Sequence, residues 1–103
     1  MIQLQTRFAA AEPGKMILKL CKHFRHKVPT VFDATRGEVD FQPGRCVLSA
    51  EVDAVHVYIE GADNKEIGRM QYVLDDHVRR FLRASTLVLH WSEAQADTTA
   101  PRA

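Results

Sequence analysis

Residues 21–27 read CKHFRHK and bring together a thiol, two imidazoles and several cationic side chains. Thiolates and imidazoles are metal ligands, so a metal site is the first chemistry to weigh. On a helix, at roughly 100° per residue, His23 and His26 lie about 60° apart, and one ion could reach both. Cys21 lies about 160° from His23 and falls on the apolar side. The three cannot share an ion while the helix is intact, and a structural zinc site takes four protein ligands. His77, from a second helical segment, is the histidine best placed to join. The plainer expectation is that no metal is bound, with Cys21 in the core, His23 at its boundary and His26 in solvent.

The same segment carries a clearer pattern. Lys15, Lys19, Lys22 and His26 recur at i, i+4, i+7 and i+11, a continuous stripe away from the apolar face, and Arg25 and Lys27 extend it. Such a stripe is either a solvated helix face or a docking face for an acidic partner or an anionic ligand. Nucleic acid is not expected, because Phe24 points to the core and leaves no aromatic among the lysines to stack on bases. His77 falls on an apolar stripe, where a lone histidine reads either as a buried, hydrogen-bonded core residue or as one held by a carboxylate. The residues 15, 19, 22, 23, 26, 27 and 77 are therefore the candidate ligand or partner site. No catalytic set emerges. LSAE is not a nucleophile elbow, there is no G-x-G-x-x-G or Walker loop, and Asp33, Glu38 and Asp40 read as turn and edge carboxylates.

The elements that must position these residues follow from periodicity. IQLQTRF alternates, with Ile2, Leu4, Thr6 and Phe8 on one side, and predicts a strand. Pro13 suits the first turn of a helix over 14–26, where Ile17, Leu20, Cys21 and Phe24 share a face and Pro29 forces the end. Short strands then alternate with turn signals: PTVFD, EVDFQ, RCVLSAE and VHVYIE, an antiparallel meander. Asp63 and Glu66 form a capping-box pattern for a helix over 64–83 with the stripe Ile67, Met70, Leu74, His77, Val78 and Phe81. TLVLHW predicts a last strand, with Trp91 in the core. The order β-α-β-β-β-β-α-β is that of an α+β two-layer sandwich: one curved, antiparallel-rich sheet with both helices on one face. The other face is expected to be partly open, presenting Val47, Ser49, His56 and Tyr58.

At 103 residues the chain predicts one domain over 1–91, with 92–103 a polar, disordered tail. No apolar run approaches the ~20 residues of a membrane span. The N-terminal stretch lacks the charged and apolar regions of a signal peptide, and two cysteines are too few for a disulfide framework, so a reduced cytoplasmic protein is expected. The net charge of +1 hides an asymmetry: residues 1–32 carry +5 and residues 33–66 carry −5. A polyanion binder would be basic throughout; this chain is a dipole by segment, able to orient a partner or a second copy of itself.

LCKHFRHK at 20–27, VDF, GRCVLSA, DDHVRRFL at 75–82 and LVLHW at 87–91 together resemble the bacterial domain of unknown function 2218, over roughly residues 4–91. The residues that carry the likeness are Cys21, Lys22, His23, Phe24, His26, Lys27, His77, Arg80, Phe81 and Trp91. Members look like small stand-alone proteins, or domains attached to or encoded near siderophore-interacting proteins of ferric-reductase type. The resemblance thus implies a loose connection with siderophore and iron handling, and no reaction. The leading expectation is a non-enzymatic accessory or binding domain, without a cofactor, whose basic first helix docks a protein partner or an anionic ferric chelate. The alternatives are a small metal- or haem-handling protein using His23, His26 and His77, and a small enzyme on the open sheet face. Self-association is left open.

Overall fold

The structure is a computed structural model and describes residues 1–84 and 86–94. Its elements run β1 (Ile2–Ala9), α1 (Pro13–Phe24), β2 (Thr30–Phe32), β3 (Arg36–Asp40), β4 (Arg45–Glu51), β5 (Ala54–Gly61), α2 (Asn64–Leu82) and β6 (Ser92–Glu93). The strands form one antiparallel sheet in the order β2-β3-β4-β5-β1-β6, so α2 carries the chain from β5 back to the far edge of β1. The expected α+β layering holds. No described helix is long and apolar enough to cross a membrane.

Strand alternation sets which face is buried. Phe8, Val55, Val57, Ile59, Cys46, Leu48 and Val39 point to one side and meet Ile17, Leu20, Cys21 and Phe24 of α1 and Ile67, Met70, Leu74 and Val78 of α2 in one core. Burial of this set is the main stabilising term, at about 1.5–3 kcal/mol for each large side chain. Gly37 lets α1 approach β3 closely, since a Cβ there would collide with Cys21 Sγ.

Helix ends depart from the simple reading in instructive ways. α1 starts at Pro13 as expected but stops at Phe24, before residue 26. His26 N–H donates to His23 O, and both Lys27 and Val28 N–H groups donate to Phe24 O, so the chain tightens into a turn before Pro29. α2 is capped by Asp63, which accepts from Glu66 N–H at 2.9 Å; Glu66 reaches back to Ala62 N–H, one residue before the cap. Its far end closes on Arg83 in the left-handed region, φ 53°.

Two expectations are corrected. Residues 87–91 do not form a strand. Leu89 turns into the core, and the Thr6 hydroxyl takes the His90 carbonyl at 2.8 Å, so pairing with β1 begins only at Ser92 and Glu93. These two residues, placed in the tail by sequence, thus belong to the sheet, and Ala94 N–H donates to Gln3 O just beyond them; the rest of that expectation, 95–103, lies outside the described residues. Trp91 packs against the core while only half-buried. The second face of the sheet is also less open than expected. Tyr58 donates to Glu60 at 2.6 Å and accepts from Gln3, Arg45 reaches Glu60 and Glu38, and Arg36 pairs with Glu38. These long arms lie over the middle of the sheet and leave Val47 2% and Tyr58 3% exposed.

Candidate functional site

The C-terminal end of α1 and the C-terminal third of α2 meet at two histidines. Nε2 of His77 lies 2.9 Å from Nε2 of His23. Nδ1 of His77 is 2.6 Å from the Val73 carbonyl, one turn back in α2. A carbonyl only accepts, so His77 carries its proton on Nδ1, and in the neutral ring Nε2 is a lone pair. The bond between the rings therefore requires the proton to be on Nε2 of His23. One tautomer of each imidazole follows from the geometry.

Aromatic rings surround the pair. Phe24 lies 5.2 Å from the His77 ring and 5.6 Å from Phe41, which arrives from the end of β3; Phe81 stands edge-on to His23 at 6.0 Å. Between them is a cavity of about 240 Å³, lined by His23, Phe24, Lys27 and Val28 on one side and Phe41, Val73 and His77 on the other. Its lining contains two imidazoles and an ammonium and no carboxylate. Desolvation lowers the pKa of His23, and the neighbouring His77, His26, Lys27 and Arg80 lower it further.

The structure brings together His23, Lys27 and His77 from the candidate set. His26, in the turn after α1, does not line the cavity, and the partner of His23 is His77. The helix-based placing of His23 and His26 on one face lapses because α1 has ended before residue 26. Lys15, Lys19 and Lys22 remain an exposed row on α1 away from the cavity, Lys15 paired with Glu12 at 3.2 Å. Among the described residues no group of three or more His, Cys, Asp or Glu side chains is arranged to hold a metal ion. Cys21 and Cys46 are buried free thiols; burial pushes Cys21 up to about 12 and Cys46 still higher. Phe41, Val28 and Val73 were not singled out in the sequence, because an apolar cavity wall has the same residue types as a core.

The geometry coincides with the motif residues that carry the family likeness: His23, Phe24 and Lys27 from the first motif, His77 and Phe81 from the second. A family model described as "Uncharacterized protein conserved in bacteria (DUF2218)" matches residues 5–92. The chain belongs to this family. As a DUF2218 member it also has a structural counterpart: the NMR structure of PA4090 from Pseudomonas aeruginosa aligns with TM-score 0.78 and 27% identity, covering 93% of this chain and 100% of that one. No curated protein matches the chain.

Proposed function

We propose that this DUF2218 domain is a binding module for a small anionic ligand with an aromatic or apolar body, seated in the cavity between α1 and α2. The observation that carries this is the lining: the imidazoles of His23 and His77 and the ammonium of Lys27 are the polar groups of a cavity otherwise lined by Phe24, Phe41, Val28 and Val73, with no acidic group among them. A small apolar pocket with a few convergent polar groups is the usual form of a ligand site. At about 240 Å³ it holds a single ring or arm and not a bulky chelate. The arm we favour is an aryl carboxylate or a related oxygen donor of an anionic ferric chelate, in keeping with the siderophore connection that the family resemblance suggests. The row Lys15, Lys19 and Lys22 steers such a ligand, or the acidic surface of a protein that delivers it, toward the end of α1.

Benzoate and its neutral isostere benzamide test this. In NMR titrations of the whole chain, benzoate is expected to shift the resonances of His23, Phe24, Lys27 and His77, and benzamide to leave them nearly unchanged. Equal shifts with both, or none with either, would remove the anion site.

A further inference from the structure

Resting on the reading of this cavity as an anion site, we infer that a carboxylate bound between His23 and His77 brings one proton with it, and that His77 carries that proton. In the free protein Nδ1–H of His77 is committed to the Val73 carbonyl at 2.6 Å, which leaves Nε2 as an acceptor facing His23 Nε2 at 2.9 Å. The two rings thus share a single N–H. A carboxylate that bridges them needs a donor from each. His23 already has one. His77 can turn Nε2 into a donor in two ways. Moving its proton from Nδ1 would leave a lone pair against the Val73 carbonyl, which costs the bond and adds repulsion. Taking a second proton keeps that bond and places an imidazolium against the anion, a charge-assisted contact. The second route is the favoured one: neutral pair plus carboxylate plus one solvent proton gives the complex, with no other bond made or broken.

The surroundings set the starting state. The turn after α1 brings His26 and Lys27 toward His23. α2 brings Arg80, itself held by Asp76 at 3.1 Å, and the residue after β3 brings the ring of Phe41 against Phe24. Desolvation and these cations disfavour a charge on His23, and the empty pair is joined through the single N–H between the two Nε2 atoms, so the second proton arrives with the anion and leaves with it. A cation seated between the same nitrogens would behave oppositely. It would use the His77 lone pair and require His23 to give up its Nε2 proton, so binding would take up none.

The test is an NMR titration of the full chain with benzoate at pH 7, 8 and 9, where benzoate itself stays ionised. Uptake of one proton per anion makes Kd rise with pH, by up to about tenfold for each unit. The His77→Gln variant, whose amide can donate to a carboxylate without titrating, is expected to bind benzoate with a Kd that varies less than twofold over the same range. A pH-independent Kd in the parent protein, or an unchanged slope in the variant, would overturn the proton coupling and leave the anion site standing. Failure of benzoate to bind at all would take down both.

Discussion

The Nε2 atoms of His23 and His77 stand 2.9 Å apart although 54 residues separate them in the chain. This contact ties the end of α1 to the C-terminal third of α2. It is a hydrogen bond only while at least one of the facing nitrogens lacks a proton.

The pH dependence of stability follows from that. The pKa of His23 is lowered in the folded protein from an ordinary value of 6.5. Below about 6.5 the unfolded chain therefore binds a proton that the folded chain resists, and stability falls as the pH drops through and below this point. The contribution is fully present above pH 6.5. Thermal melts at pH 7.5 and 5.5 are expected to show a lower Tm at the acid value, and His23→Gln to narrow the gap. An identical gap in the variant would assign the acid loss to other groups.

Both thiols are expected to be inert in the native state. Cys21 and Cys46 are fully buried, and desolvation keeps Cys21 protonated up to about pH 12, so no thiolate is present to react. A disulfide reagent at pH 8 should label neither within minutes and both on denaturation. Rapid labelling of one thiol in folded protein would mean that α1 detaches from the sheet.

Gly37→Ala is expected to destabilise the domain by about 1–3 kcal/mol, the usual range for over-packing. The new methyl group would meet Cys21 Sγ across the α1–β3 contact. Combining it with Cys21→Ala removes the obstructing sulfur, so the two losses should sum to less than their separate values. Urea midpoints of the three variants measure this; strict additivity would show that the clash is relieved elsewhere.

The basic row on α1 is expected to affect binding and not folding. Changing Lys15, Lys19 and Lys22 to Glu should weaken capture of an anionic ligand or partner and flatten its salt dependence, because exposed charges act at long range and are screened. The melting temperature should move little, since all three side chains are exposed. Retained salt dependence in the triple variant would make the row a solvated face and nothing more.

Much of this architecture is legible in the sequence, for a local reason. Alternation in Ile2, Leu4, Thr6 and Phe8, the stripe Ile67, Met70, Leu74 and Val78, and the Asp63 cap each report a face or an end that the chain determines within a few residues. The burial of Cys21 and Phe24 was readable in the same way. The course of residues 87–91 was not, because alternating Leu87, Leu89 and Trp91 suits a strand equally well as a segment that drops Leu89 into the core, and the Thr6 hydroxyl decides between them from 84 residues away. Nor could the sequence choose His77 over His26 as the partner of His23. Periodicity states which side of each helix is buried; how closely α1 and α2 approach over the sheet is set by side-chain packing between them. That packing brings His77 to His23, places Phe41 against Phe24, and turns residue types that read separately as core and surface into one cavity.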